Sequence, residues 1–196
     1  MPQVGQGAKP RAGVLGIQGA FQKHLEALER AGAEARLVLH KEDLDGLDAL
    51  VLPGGESTTM AKGLDRLGLY EPIQAWAHAG GRILGTCAGA ILLARSCQNH
   101  PVRTLGLIDL RAARNAYGSQ VDSFTAVADA VAAPGFEAMR CIFIRAPQLE
   151  TPGPAVEVLL RVDGLPVLAR ERNVLVSTFH PELGDDLRVH RALLFD

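Results

Sequence analysis

The chain has 196 residues, of which 47% are hydrophobic and 21% are charged, and its mean hydropathy is +0.11. This composition excludes a disordered tail and a nucleic-acid-binding arm, and the length predicts one domain with a full hydrophobic core. Twenty basic residues against 22 acidic ones give a formal net charge of −2. No strong electrostatic signal therefore points to DNA, RNA or an anionic membrane as a partner.

Cysteine usage and hydropathy point to a reducing compartment. The three cysteines, Cys87, Cys97 and Cys141, are too few for a disulfide framework, and no C-x-x-C pair indicates zinc. The longest apolar run, residues 83–94, is too short to span a bilayer. The polar residues 1–9 do not have the pattern of a signal peptide. We therefore expect a cytoplasmic protein that uses no metal and no cofactor.

The first half of the chain alternates between predicted strands and helices. Apolar runs bounded by turn residues predict strands at residues 12–17, 34–39, 48–52 and 82–85. Apolar residues at helical spacing, ended by Gly32, predict a first helix through Phe21, Leu25, Leu28 and Ala31. Further helices are predicted at residues 57–67, 71–78 and 88–95. Such alternation is typical of βαβ units in a parallel sheet.

The second half carries short strands separated by turn residues. They are predicted at residues 105–110, 125–131, 141–144, 156–162, 166–169 and 174–178, before a last helix at 185–194. The fold class is therefore α/β: a single doubly wound, flavodoxin-like, mostly parallel sheet flanked by helices, with a small antiparallel extension. We expect residues 1–11 to form a flexible N-terminal extension and residues 12–196 to form the domain.

A candidate nucleophile follows the strand at 82–85. Residues 85–89 have the pattern G-x-C-x-G, the thiol counterpart of the G-x-S-x-G nucleophile elbow, with Cys87 at its centre. Flanking glycines let the backbones of a sharp strand-to-helix turn pass closely. The turn places Cys87 at a helix N-terminus, where unpaired N–H groups favour a thiolate. The pentapeptide alone is equally compatible with a small buried hydrophobic residue, and a redox-sensing thiol is a further alternative.

A candidate base and its partner follow the last predicted strand, in His180-Pro181-Glu182. Residues two apart in an extended segment point the same way, so Glu182 can hold the His180 imidazole in one tautomer. A surface histidine followed by an acid in a first helical turn is the simpler alternative for this tripeptide alone. Because ligands of open α/β sheets bind at the carboxyl ends of strands, the upstream elbow favours a Cys-His-Glu triad.

The loop at residues 53–57 offers adjacent backbone N–H groups from Gly54 and Gly55 at the end of a strand. Such donors suit the oxyanion of a tetrahedral intermediate. A phosphate-binding loop is a rival interpretation, but the loop lacks the G-K-[ST] ending of a P-loop and the G-x-G-x-x-G of a dinucleotide site. The plainest alternative is a turn after which Ser57 caps the next helix.

Finer motifs surround these three loops in a fixed order. They are Gln18-Gly19-Ala20, residues 52–59 (LPGGESTT), Arg114-Asn115 with Tyr117-Gly118 and Gln120, residues 121–124 (VDSF), residues 143–147 (FIRAP) and residues 179–183 (FHPEL). With the elbow, His180 and Glu182, the chain resembles class I glutamine amidotransferase domains. More narrowly, it resembles the family of glutaminase subunits of pyridoxal 5′-phosphate synthase, from about Val14 to the C-terminus.

The resemblance implies that glutamine is hydrolysed to glutamate and that the ammonia passes to a partner synthase subunit in a large hetero-oligomer. It implies Cys87 as the nucleophile, His180 as the proton carrier and Glu182 as the residue that orients His180. The residues implied to contact glutamine are Gly55, Glu56, Ser57, Arg114, Ile144 and Arg145. Those implied to form the oxyanion and activation region are Gly54, Gly55, Ala88 and Gln18.

The residue types at these positions suit an amino-acid substrate. An arginine fork fits an α-carboxylate, and Glu56 fits an α-ammonium group. Surface salt bridges are the simpler interpretation of Arg114 and Arg145, and a helix cap is the simpler interpretation of Gln18.

The chain departs from the family at two positions, where Phe and Arg are common and this chain has Tyr117 and Ser119. Ser119 carries no positive charge, so contacts of that arginine are not expected to carry over. Cys97 and Cys141 match no catalytic position and are assigned to packing. A glutaminase of another synthase, such as imidazole glycerol phosphate synthase, is the nearest alternative, but it is not expected to carry the GESTT and FIRAP motifs.

Overall fold

The protein, seen here as a computed structural model, is described for residues 8–99, 101–114, 123–131 and 134–196. The helices are α1 (Phe21–Arg30), α2 (Ser57–Leu67), α3 (Tyr70–His78), α4 (Ala88–Leu93) and α5 (Arg188–Phe195), with 3-10 turns at Lys41–Leu44 and Pro181–Leu183. The strands are β1 (Arg11–Leu15), β2 (Glu34–Val38), β3 (Ala49–Leu52), β4 (Arg82–Thr86), β5 (Ala94–Gln98), β6 (Ile108–Ala113), β7 (Ser123–Val127), β8 (Asp129–Ala130), β9 (Arg140–Ile144), β10 (Gln148–Glu150), β11 (Glu157–Val162), β12 (Leu165–Glu171) and β13 (Val174–Ser177).

A mixed sheet forms the centre of the molecule. Within the described ranges it has eight strands in the order β2-β1-β3-β4-β13-β12-β11-β8. The first five are parallel neighbours, and the last three continue the sheet in antiparallel fashion. The predicted fold class, a mostly parallel sheet with an antiparallel extension, is confirmed. The order of the strands reverses direction between β1 and β3. Ligands of such sheets bind at the carboxyl ends of the strands next to this switch point.

The central strands β1, β3, β4 and β13 are buried on both faces, because their side chains alternate between the two sides of the sheet and helices cover each side. On one face, Val14 and Val51 pack with Leu28 of α1 and Leu193 of α5. On the other face, strand residues such as Leu50 and Leu52 pack with α2, α3 and α4, through side chains that include Met60, Leu64, Ile73 and Leu92. The central strands therefore read as continuous apolar runs, which is why the sequence reveals them.

The structure differs from the sequence prediction after α4. The helix predicted at residues 88–95 ends at Leu93, and the chain continues directly into β5, which pairs with β6. The strand predicted at 105–110 begins only at Ile108, because the backbone N–H groups of Leu105 and Leu107 bond the carbonyls of Leu92 and Leu93 at 2.6 and 2.9 Å. These residues satisfy the last carbonyls of α4 instead of joining a sheet.

Two further element boundaries differ from the predicted ones, each for a local reason. The single strand predicted at 125–131 is two strands, β7 and β8, which pair in different sheets on either side of buried Ala128. The last helix begins at Arg188 rather than residue 185, and the Asp186 carboxylate accepts hydrogen bonds from the Arg188 backbone and guanidinium at its start. Short β10, which pairs with β6, was not predicted.

The expected flexible extension comprises residues 1–11, of which residues 1–7 lie outside the described part of the chain. The last of these residues, Arg11, belongs to the folded sheet, so the folded part of the chain begins before residue 12. Pro10 is buried and its carbonyl accepts a hydrogen bond from the Glu34 N–H at 2.8 Å. Arg11 is the first residue of β1 and pairs with Glu34.

Candidate functional site

The loops that the sequence singled out meet at the carboxyl ends of β1, β3, β4 and β13, which are neighbours in the sheet. They enclose a cavity of about 430 Å³. Every expected site residue except Glu182 lines it: Gln18, Gly54, Gly55, Glu56, Ser57, Cys87, Ala88, Arg114, Ile144, Arg145 and His180, together with Gly19, Ala20, Ile91 and Pro147. Glu182 lies behind His180 and is 5% exposed.

Cys87 occupies a strained turn between β4 and α4. Its backbone has φ 49° and ψ −104°, a region that costs a non-glycine residue free energy and that marks functional turns. The Cys87 N–H is fixed to the Ser177 carbonyl at 2.8 Å. Side chains at Gly85 and Gly89 would collide with the carbonyls of Gly89 and Leu52 respectively. The two glycines therefore let the elbow close, as the G-x-C-x-G spacing predicts.

His180 and Glu182 form a buried hydrogen-bonded pair. The His180 Nδ1–H donates to Glu182 Oε1 at 2.7 Å, and the His180 backbone N–H is held by the Ile142 carbonyl at 2.8 Å. Burial disfavours the charged imidazole, but hydrogen bonds with Cys87 and Glu182 outweigh it and raise the pKa of His180 to about 10. His180 is therefore protonated at neutral pH, and it lies next to Cys87.

Glu182 remains ionised although it is buried. Burial raises the pKa of this carboxyl, but His24 and His180, which face its two oxygens, lower it by more, so that the pKa lies below its usual value. The surface-histidine alternative does not fit, because the His180 and Glu182 side chains are 10% and 0% exposed. The pair can therefore hold one tautomer of His180 with its Nε2 directed away from Glu182.

Glu56, not Ser57, caps α2. Its Oε1 accepts from the Thr58 N–H at 3.0 Å, and its Oε2 accepts from the N–H and hydroxyl of Thr59 at 2.7 and 2.9 Å. Burial opposes ionisation of Glu56, but these hydrogen bonds prevail and lower its pKa to about 2. Ser57 is the first residue of the helix and is buried. The expected capping role thus belongs to the preceding residue.

The cavity wall carries charges of both signs. The Arg114 guanidinium donates to Glu56 Oε1 at 3.0 Å and to the Thr58 hydroxyl at 3.2 Å, which anchors it to α2. Arg145 is exposed at the cavity and has φ 43°. The salt-bridge interpretation of Arg114 is therefore correct in part, since the ion pair exists but lies on the cavity wall. A ligand with both an ammonium group and a carboxylate matches this wall.

Gln18 and Gly19 connect the loop after β1 to the loop after β3. A side chain at Gly19, whose φ is 94°, would collide with the Gly54 carbonyl. The Gln18 Oε1 is buried with no hydrogen-bond partner among the described residues. Gln18 does not cap α1, whose N-cap is Ala20 with no side-chain bond. The motif residues Asn115, Tyr117-Gly118, Ser119, Gln120 and Val121-Asp122 lie outside the described residues.

The sequence prediction missed two buried histidines next to the site. His24 on α1 and His190 on α5 are 0% exposed, and His24 faces the second oxygen of Glu182 at 3.3 Å. Their spacing carries the signal: His24 lies three residues after Phe21 and four before Leu28, and His190 lies three before Leu193. Each histidine thus belongs to the apolar face of its helix.

The described ranges contain no group of three or more His, Cys, Asp or Glu side chains arranged to hold a metal ion. The same part of the chain contains no helix long and apolar enough to cross a membrane.

Comparison with known proteins identifies the family. The model of the SNO glutamine amidotransferase family matches residues 14–195. A protein of Fervidobacterium nodosum, named pyridoxal 5′-phosphate synthase subunit PdxT, is 48% identical over 93% of this chain and 94% of its own length. A protein of the same name from Listeria monocytogenes is 50% identical over 94% of this chain and 97% of its own.

Solved structures agree. A structure titled "Crystal structure of glutamine amidotransferase" superposes with a TM-score of 0.88 and 44% identity, covering 93% of this chain and 96% of that one. The PurLQS structure from Thermotoga maritima contains a chain with a TM-score of 0.71 at 20% identity, over 95% and 98% of the two chains, and this shows the shared fold alone. The chain belongs to the SNO glutamine amidotransferase family.

Proposed function

We propose that this protein is the glutaminase subunit of a pyridoxal 5′-phosphate synthase. It hydrolyses L-glutamine to L-glutamate and ammonia through Cys87, His180 and Glu182, and the ammonia passes directly to a synthase subunit. One observation carries the proposal: a strained Cys87 elbow and the 2.7 Å His180–Glu182 pair adjoin one cavity of about 430 Å³. The names of its relatives from Fervidobacterium and Listeria support the choice of synthase.

The first half of the reaction forms a thioester. The Cys87 thiolate attacks the side-chain amide carbon of glutamine, and the C=O electron pair moves to oxygen. When the tetrahedral intermediate collapses, the C–N bond breaks and His180 gives its proton to the leaving nitrogen, which departs as ammonia. Glu182 keeps the imidazole in the required orientation and stabilises its charged form.

The second half regenerates the enzyme. Neutral His180 takes a proton from water, whose oxygen attacks the thioester carbon, and the C–S bond breaks to release glutamate and the Cys87 thiolate. The sum is glutamine plus water giving glutamate plus ammonia, with no change of oxidation state. This chemistry uses no metal or cofactor.

The oxyanion of both intermediates is bound by backbone N–H groups. Ala88, the first residue of α4, has an N–H outside the helix hydrogen-bond pattern. Gly54 and Gly55 supply the second donor from the facing loop, which packs so closely that a side chain at Gly54 would meet His180 and Cys87 at 2.6 and 3.4 Å. Losing one such donor costs on the order of 10²–10³-fold in rate.

The α-amino and α-carboxylate groups of glutamine bind to the charged wall. Arg114 and Arg145 lie on the cavity and suit the carboxylate, while Glu56 suits the ammonium. Ser57, Gly55 and Ile144 complete the contacts with the substrate. Gln18 lies in the loop after β1, beside Gly54 and Gly55, and docking of the synthase subunit adjusts the oxyanion donors there. We place the hetero-oligomer in the cytoplasm.

The proposal is tested by measuring glutamate release by the purified chain alone and after addition of the pyridoxal 5′-phosphate synthase subunit. We expect weak hydrolysis alone and an increase of at least about tenfold in the complex, because an oxyanion hole completed on docking limits wasteful ammonia release. Asparagine, one methylene shorter, is the control substrate and should not be hydrolysed. Equal rates with and without the synthase subunit contradict the coupling.

A further inference from the structure

A buried pair of histidines lies behind the catalytic site and has no part in the reaction described above. His24 Nδ1 is 3.0 Å from His190 Nε2, and His24 Nε2 is 3.1 Å from the Thr86 hydroxyl and 3.3 Å from Glu182 Oε2. Glu182 Oε1 in turn binds His180. The side chains thus form one continuous line, His190–His24–Glu182–His180, that ends at the cavity.

The protons of this line have one favourable arrangement. Glu182 is ionised and only accepts, so the His24 proton belongs on Nε2, facing Glu182 Oε2 and Thr86. His24 Nδ1 then accepts from the His190 Nε2–H, and His190 Nδ1 is a lone pair. That Nδ1 is buried with no hydrogen-bond partner in the described part of the chain. The opposite tautomers would place a lone pair 3.3 Å from the carboxylate oxygen and bury an unpaired N–H on His190. In the favourable arrangement both ring N–H groups therefore lie on the side of the ring nearer to Glu182, and that of His24 is also within reach of the Thr86 hydroxyl.

Charge supports the same arrangement. Burial, only partly opposed by Glu182 and reinforced by His180, lowers the pKa of His24 to about 4. Burial and His24 together lower the pKa of His190 to about 3, with Glu182 opposing and Arg30 adding to the shift. Both are therefore neutral at pH 7. They act on Glu182 through N–H dipoles, and its negative charge remains available to the His180 imidazolium.

We propose that His24 is a positioning residue that fixes the Glu182 carboxylate, and that His190 sets the tautomer in which His24 does so. Glu182 Oε2 has no hydrogen-bond partner among the described residues, and the neutral imidazole of His24 approaches it with Nε2 at 3.3 Å. Without that contact a buried oxygen of the carboxylate loses its only polar support from α1. The carboxylate then takes up a proton more readily and holds His180 less firmly. This inference rests on the proposed roles of Cys87, His180 and Glu182.

The test measures how readily Cys87 is alkylated at different pH values, in the absence of glutamine turnover. Alkylation of Cys87 by iodoacetamide, followed by mass spectrometry of the Cys87 peptide over a range of pH, reports the thiolate that His180 stabilises. Two matched variants separate the effects. His24→Gln keeps an N–H near the position of Nε2, facing Glu182, whereas His24→Asn keeps a polar group only near Nδ1, facing His190. Exposed His78, on α3, provides the control variant His78→Gln.

For His24→Asn we expect the alkylation midpoint to move up by about one pH unit, because a weaker Glu182 carboxylate stabilises the imidazolium–thiolate pair less. Its kcat in the synthase complex should fall about 10- to 100-fold with little change in KM, as for groups that orient a functional partner. His24→Gln should stay within about 0.3 units of the wild-type midpoint. In ¹⁵N spectra of the wild type, His24 should carry its proton on Nε2.

The proposal is overturned if His24→Asn and His24→Gln have the same midpoint as the wild type, even where both unfold at lower temperature, since the histidines then serve packing alone. A His24 proton on Nδ1 overturns the assigned direction. Failure of the catalytic assignment looks different: Cys87→Ala would keep its activity, while the midpoint comparison would still decide the role of His24.

Discussion

Glu182 lies between two regions of the molecule in which the pKa of a histidine is shifted in opposite directions. On the cavity side, His180 contacts one carboxylate oxygen and its pKa rises to about 10. On the interior side, His24 contacts the other oxygen and its pKa falls to about 4. His180 borders the cavity and also faces Cys87, whereas His24 is completely enclosed by α1, α5 and β4. The charge of a histidine beside a carboxylate therefore depends also on how deeply the histidine is buried and on its other neighbours.

The largest effect should come from the cavity side. We expect Cys87→Ala to lower glutamine hydrolysis in the synthase complex by at least about 10³-fold, because the thioester can no longer form. Cys97→Ala is the matched control, since Cys97 lies on β5 outside the cavity. Glutamate release and the binding of the synthase subunit should be measured on both variants. If the Cys87→Ala variant still hydrolyses glutamine, Cys87 is not the nucleophile.

Glu182→Gln changes the side chain that contacts the histidines of both regions, and it should lower kcat by about 10³-fold. The carboxylate accepts from His180 Nδ1 on one oxygen and faces His24 Nε2 with the other. An amide has only one accepting oxygen, so its NH₂ group must face an N–H on one side or the other. Steady-state kinetics should show an almost unchanged KM. A KM effect larger than the kcat effect contradicts this account.

Arg114→Gln tests the charged wall of the cavity alone. We expect KM for glutamine to rise by about 10- to 100-fold with kcat changed much less, because an Arg–carboxylate contact supports binding rather than bond breaking. Glu56 keeps its hydrogen bonds to Thr58 and Thr59, so α2 stays capped. Arg161→Gln, a change on β11, serves as the control. An unchanged KM assigns the carboxylate to another group.

The smallest effect concerns the interior side and appears in stability. In the folded protein the pKa of His190 is about 3, whereas unfolded histidine titrates near about 6.5. Unfolding therefore takes up a proton between these values, and the free energy of unfolding falls as pH decreases through this window. His190→Gln should make the fall shallower by up to about 1.4 kcal/mol per pH unit.

This slope is measured by urea unfolding at several pH values between 4 and 7, with His78→Gln as the control. His180 has the opposite sign, because its raised pKa stabilises the fold at low pH and this contribution is lost as pH rises toward about 10. An identical slope for wild type and His190→Gln shows that His190 is already charged in the folded state.

The sequence predicts the parallel half of the fold well because its strands are buried on both faces and its turns carry glycine or proline. The bounds of α2 agree with the prediction, and β4 differs by one residue. The region after α4 was predicted less well. β10 pairs with β6 rather than with its chain neighbours β9 and β11, and β5 runs parallel to the strand that follows it. No local pattern encodes such pairing.

The candidate site follows the same division. Cys87, His180 and Gly54 belong to loops whose glycine spacing and position after apolar strands can be read from the chain. His24 and His190 are 166 residues apart in the chain, and only the folded structure brings their nitrogens to 3.0 Å. A histidine on an apolar helix face signals burial, but it does not reveal its partner.

The contact between α1 and α5 has a consequence for the order in which the protein folds. The two helices are far apart in the chain, yet both supply groups behind Glu182. A chain cut after residue 186 has the Cys87 elbow and Glu182 but not His190. Long-range contacts of this kind form late in folding. The support behind Glu182 is therefore completed only when α5 packs against α1.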